Sequence, residues 1–378
     1  MKYTSTICLA VCIILLSACG TSTVTLTSVS PTKMPTITQS ATPVPTATLE
    51  SIGFPLSESG PYHVGIRRNI AYEDSSRDGR KVTITIWYPG VEPQDSTSSD
   101  QIVDAMPDLS NAPYPLILSS SKVGSIFASH LVSYGFVYVG INGLDTYLWN
   151  ENLIDQPLDI LFALHQVASN PLEGLEGMIN AEDAGVLGYS FDGYNSLALS
   201  GARVDPEYYL QFCANPSLDE HWIRWGYCEP ANTWDEFSDH AGSAITTSND
   251  GLWKPMTDER IRAVMPMAPD GAILFGDRGL SSVNRPTLII GGTEDDICTY
   301  NHEAVYIFEH ISASNRTMIS FVGKGHMMIN DIDQVAYMKH FATAFFGYYL
   351  QRQDDYSKFF SEDFIAQHDD LVWGVYTK

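Results

Sequence analysis

Residues 185–194 read Gly-Val-Leu-Gly-Tyr-Ser-Phe-Asp-Gly-Tyr (GVLGYSFDGY) and run on into the helix-forming stretch NSLALSGA. An apolar run meets a glycine, a serine follows two residues later, and small residues and a helical pattern come after. A buried strand, a sharp turn and a helix are the elements this order predicts, with Ser190 at the turn. Asp192 is the discordant residue, an acid where such a turn usually carries glycine.

The chain on either side repeats the alternation. Strands are predicted at 81–89 (KVTITIWYP), 114–120 (YPLILSS), 135–142 (GFVYVGIN), 261–269 (IRAVMPMAP), 285–292 (RPTLIIGG) and 316–323 (RTMISFVG). Helices are predicted at 157–170 (PLDILFALHQVASN), 302–312 (HEAVYIFEHIS) and 333–352 (DQVAYMKHFATAFFGYYLQR). Continuous apolar strands alternating with helices imply an α/β fold, a mainly parallel central sheet with helices on both faces. One domain is expected from about 52 to 378, with an aromatic-rich insertion at about 203–260.

The chain has 378 residues with 45 acids against 21 Lys and Arg, a formal charge of −24. That balance argues against a nucleic-acid partner, which needs a concentrated basic surface. At the N-terminus the apolar run ICLAVCIILL is too short to span a bilayer and fits the core of a signal peptide, residues 1–18. It ends in Leu16-Ser17-Ala18-Cys19, which resembles the lipobox of bacterial lipoproteins, so Cys19 is the expected lipidation site and membrane anchor. An ordinary secretory signal is the alternative. Residues 19–51 are rich in Ser, Thr and Pro, contain no aromatic residue and cannot bury a core, so they read as an extended tether. The expected location is extracytoplasmic.

Of six cysteines, Cys8 and Cys12 leave with the signal and Cys19 takes lipid. Cys213 and Cys228 share one irregular segment and are the natural disulfide pair in an oxidising exterior, leaving Cys298 as a shielded free thiol. No zinc-like spacing occurs, so neither a metal nor an organic cofactor is expected.

Functional groups in parallel sheets gather where the strands end. Ser190 follows the 185–189 run, Asp295 follows 285–292 and His326 follows 316–323. That order, serine, acid, histidine, is the chain order of an α/β-hydrolase triad. Asp296 is the adjacent alternative for the acid. His302, His310 and His340 lie on predicted helices and are expected to pack or face solvent. Asp331 and Asp333 lack the spacing of a calcium loop and fit a helix N-cap.

From GPYHVGIRRNIAYEDSSRDGRKVTITIWYP (60–89) through GYSFDGYNSLALSGA (188–202) to GTEDD (292–296) and GKGH (323–326), the chain resembles α/β-hydrolases of the platelet-activating-factor acetylhydrolase and predicted dienelactone-hydrolase type. The resemblance spans about 60–350, is weakest over 203–260, and shades into polyester hydrolases. It implies a serine esterase or lipase: Ser190 attacks an ester carbonyl, His326 takes the proton, and Asp295, selected by the family's GTxD spacing, orients the imidazole.

The resemblance also implies two backbone N–H donors for the oxyanion, Phe191 after the serine and Val123 in the loop after 114–120. Here the chain departs from its relatives: they read SHGxGG where it has Ser120-Ser121-Lys122-Val123-Gly124-Ser125, and GHSFGG where it has GYSFDG. Asp192 must then point outward or push the helix away, and Lys122 is an exposed charge or a lure for an anionic substrate. The insertion carries Tyr208, Tyr209, Phe212, Trp222, Trp225, Tyr227, Trp234, Phe237 and Trp253, which form either a substrate wall or a small core of their own. The expected function is a surface-anchored, monomeric serine hydrolase for short-acyl lipid or polyester-like esters. The alternative is a catalytically weakened hydrolase fold acting as a ligand-binding module.

Overall fold

In a computed structural model of the chain, residues 53–91, 101–144, 147–215, 222 and 224–377 are described. The chain divides into two units, Met1–Ser51 and Ile52–Lys378. The expected signal peptide, lipidated Cys19 and tether all lie outside the described residues.

Ten strands form one sheet: β1 (His63–Asp74), β2 (Arg80–Gly90), β3 (Ile102–Val103), β4 (Tyr114–Ser120), β5 (Val137–Ile141), β6 (Ile179–Tyr189), β7 (Ile261–Met267), β8 (Thr287–Gly292), β9 (Arg316–Phe321) and β10 (Leu371–Trp373). Their spatial order is β10-β9-β8-β7-β6-β4-β5-β2-β1-β3. The run from β5 to β9 is parallel, whereas the β1–β2, β2–β5 and β9–β10 pairs are antiparallel. Leu116, Ile117 and Leu118 of β4 are fully buried, so this strand is covered on both faces, each side chain contributing about 1.5–3 kcal/mol relative to exposure.

The predicted strands are present, with physical reasons where boundaries move. β5 starts at Val137 because Gly135 turns the chain at φ 82°. The helix predicted from Pro157 is α2 (Asn152–Ser169), which begins earlier and carries Pro157 within it. Leu153 and Ile154 are almost fully buried in that added turn, and their burial offsets the amide hydrogen bond that proline lacks. The predicted helix at 302–312 is a π-turn, Asn301–Val305, followed by a short helix, Tyr306–His310. The closing helix is Ile332–Gln351, and the Asp331 carboxylate caps it by accepting from the Asp333 and Gln334 amides.

Helix α1 (Ser121–Ser133) leaves β4 and packs with the closing helix on one face, around Val123, Phe127, Phe341 and Phe345. Helix α3 (Phe191–Ser200) leaves the neighbouring strand β6 and packs with α2 on the other, around Ile154, Tyr194 and Leu197. Adjacent strands that send their helices to opposite faces open a crevice at their carboxyl ends, the place where such sheets bind ligands.

His130 and His340 are buried on the α1 face. His340 accepts the Leu56 amide proton at Nδ1 (3.1 Å) and stacks on Phe364. Burial lowers both imidazoles, His130 to about 4 and His340 to about 3. A base whose pKa is depressed by folding stabilises the fold above its unfolded value of about 6.5, and that stability is lost as pH falls. The melting-temperature advantage of wild type over His340→Gln, measured by scanning calorimetry, should therefore shrink as pH drops from 6.5 towards 4.

Candidate active site

The turn after β6 is set by a close approach. A Cβ on Gly188 would lie 1.9 Å from the Asp192 carbonyl oxygen, and one on Gly193 would lie 2.8 Å from Pro269 Cα. With both glycines packed this tightly, Ser190 is held at φ 60°, ψ −124°, a conformation rare for a residue with a Cβ and typical of functional sites. Its hydroxyl stands in the crevice at the start of α3.

His326, which follows β9, places Nε2 2.9 Å from Ser190 Oγ and Nδ1 2.9 Å from Asp295 Oδ2. Asp295 Oδ1 in turn accepts the Ile297 and Cys298 amides at 3.0 and 2.9 Å. Asp295 and His326 are both buried, while Asp296 is exposed. The structure thus brings Ser190, His326 and Asp295 into one line of hydrogen bonds and leaves Asp296 outside it. Tyr189 supports the arrangement by donating its hydroxyl to the His326 carbonyl.

Two expectations about the neighbouring loop need correction. Residues 121–125 are the first turn of α1 and not a loop, because Ser120 N-caps that helix: its Oγ accepts the Val123 amide proton at 3.2 Å. The Val123 N–H expected at the oxyanion position is therefore engaged in the cap. Asp192 neither points outward nor displaces α3. It is buried, and its Oδ2 accepts the Ser120 hydroxyl proton at 2.7 Å, while Gly193 supplies the close helix packing. Lys122 is exposed and rests its Nζ 4.2 Å above the Tyr147 ring.

Ser190 and His326 open into a cavity of about 420 Å³. Tyr147, Trp149, Phe191, Trp225 and Tyr227 supply its aromatic wall. The aromatics of the insertion divide: Trp225 and Tyr227 line the cavity, whereas Trp234, Phe237 and Trp253 pack against one another. The Cys213–Cys228 disulfide is present, with Cα atoms 5.6 Å apart, and Cys298 is a buried free thiol. Among the described residues no helix is long and apolar enough to cross a membrane.

Two residues that line the cavity, Cys298 and Asp270, and Glu303 next to Asp270 were not expected at the site from sequence. Cys298 Sγ lies 3.9 Å from Ser190 Oγ, and burial pushes its thiol pKa well up. Asp270, just beyond β7, accepts the Gly271 amide (3.0 Å) and the Trp149 indole N–H (3.4 Å). Glu303 accepts the Ala272 amide at 2.8 Å. Burial raises both carboxyls, Asp270 to about 6. Asking which polar residue follows each apolar strand would have found Asp270 in MAPD.

With that geometry in view, residues 249–370 match the family model described as PETase, PET hydrolase-like. The fold is that of an α/β-hydrolase. A search of curated proteins found no match. The matched part holds β7, β8, β9, Asp295 and His326, and the PET hydrolase-like family it matches points to ester hydrolysis.

An acid raised by folding stabilises the protein below its unfolded pKa and loses that contribution as pH rises through the folded value. For Asp270 the window runs from 3.8 to about 6. The melting temperature of Asp270→Asn relative to wild type should accordingly rise as pH is taken from 4 to beyond 6, read by the same calorimetry.

Proposed function

We propose that this chain is a serine ester hydrolase held at an extracytoplasmic membrane face through lipid on Cys19. The observation that carries the chemistry is the Ser190–His326–Asp295 line, with both histidine bonds at 2.9 Å. Ser190 Oγ attacks the ester carbonyl carbon while His326 Nε2 takes its proton, and Asp295 holds Nδ1–H so that Nε2 is the free base. Collapse of the tetrahedral intermediate breaks the bond to the alcohol, which leaves with the proton from His326. Water then attacks the acyl-Ser190 ester by the same route and releases the acid.

The tetrahedral oxygen needs donors from outside the triad. Phe191 N–H stands at the start of α3. With Val123 engaged in the cap, we assign the second donor to the Lys122 amide, which begins α1 on the same cavity and has no acceptor within its own helix. The aromatic wall suits acyl chains and aromatic esters, and the PET hydrolase-like match supports polyester-like substrates.

A series of p-nitrophenyl esters from acetate to palmitate tests this reading. Wild type should turn over the shorter members, and Ser190→Ala should lose at least about 10³-fold in kcat. Absence of turnover by folded wild-type protein would favour a binding module instead. For the anchor, Cys19→Ala should move the protein from the membrane to the soluble fraction on immunoblots, and unchanged fractionation removes the lipoprotein reading.

A further inference from the structure

Two helices begin side by side at the mouth of the crevice, and a side-chain hydrogen bond joins them. Ser120 ends β4 and caps α1. Its hydroxyl accepts the Val123 amide proton (3.2 Å) and donates to Asp192 Oδ2 (2.7 Å), in the first turn of α3. Asp192 Oδ1 accepts the Asn195 side-chain N–H at 3.2 Å, and the same Asn195 amide donates to Gln156 Oε1 of α2 at 2.9 Å. Ser120 and Asp192 are 0% and 4% exposed, so the link is dry, and a hydrogen bond to a carboxylate in such a place is among the stronger kinds. The positive ends of two helices lie beside this one acid, which offsets the cost of burying it.

The two amides assigned to the oxyanion come one from each helix: Phe191 adjoins Asp192, and Lys122 lies between Ser120 and Val123. Donors on separate segments stabilise a transition state only if their spacing is fixed before the reaction, and a displacement near 1 Å can cost as much as about 10²-fold. The glycine-rich loop of the resembled families is absent here, replaced by Ser121-Lys122.

We propose that Asp192 is a positioning residue, whose bond to Ser120 locks the α1 and α3 N-termini at the separation the oxyanion requires. This rests on the serine-hydrolase reading. The acid that interrupts GYSFDG and the altered SSSKVG loop are then two halves of one device.

A double-mutant cycle with Ser120→Ala, Asp192→Ala and the pair tests it in the full chain. The readouts are kcat and KM on a short p-nitrophenyl ester, affinity for a boronic-acid mimic of the tetrahedral intermediate, and the circular-dichroism melt. Each single variant should lose about tenfold in kcat and in boronate affinity, with KM changed less than about twofold, and the double variant should lose no more than the worse single. Ser120→Thr, which keeps the hydroxyl, should restore most of the loss.

Unchanged kcat in folded Ser120→Ala and Asp192→Ala, or fully additive losses, would overturn the proposal and leave the hydrolase intact. If instead a lower melting temperature accounts for the loss, with boronate affinity per folded molecule unaltered, the link is structural and the proposal fails. No Ser190-dependent turnover in wild type removes the hydrolase reading itself, and the positioning role with it.

Discussion

The arrangement depends on the contact between Gly188 and the first turn of α3. No side chain fits between β6 and the Asp192 carbonyl, so the helix starts directly against the strand and the intervening serine is forced to positive φ. Such a conformation persists only where its surroundings over-determine it. Gly193 against Pro269 does so from the β7 side, and His326 does so by bonding the hydroxyl. Everything else at the crevice is arranged around a serine that cannot turn away.

Much of this was legible in the chain, for reasons that differ by element. Parallel strands are buried on both faces and announce themselves as apolar runs, which is why 114–120 coincides with β4. Ser190, Asp295 and His326 follow such strands, so placing the strands placed the residues. The antiparallel margin was less visible: β1 mixes buried, half-buried and exposed positions, and β10 is only three residues long. The Val123 expectation fails because a likeness to glycine-rich loops does not register that Ser120 caps a helix here. The burial of Asp192 is hidden for a related reason, since its partner lies 72 residues away at the end of β4, a distance no local pattern reports.

The buried titrating groups fall on the two sides of the sheet with opposite effects. His130 and His340, in the packing of α1 and the closing helix, are held neutral. Asp270, which lines the cavity, and Glu303 next to it hold their protons longer than free carboxyls. Acid loads the first pair with unwelcome charge and discharges the second. The two pairs therefore favour opposite ends of the pH scale.

Trp225 and Tyr227, which reach the cavity, lie within the stretch closed by the Cys213–Cys228 bridge. Ser190, Asp295 and His326 all lie outside it. The covalent cross-link therefore fastens part of the cavity wall, whereas Ser190, Asp295 and His326 follow strands of the sheet outside the bridged stretch. A lineage that redraws the bridged stretch, lengthening it or exchanging its aromatics, changes what the cavity admits and leaves Ser190, Asp295 and His326 where they are.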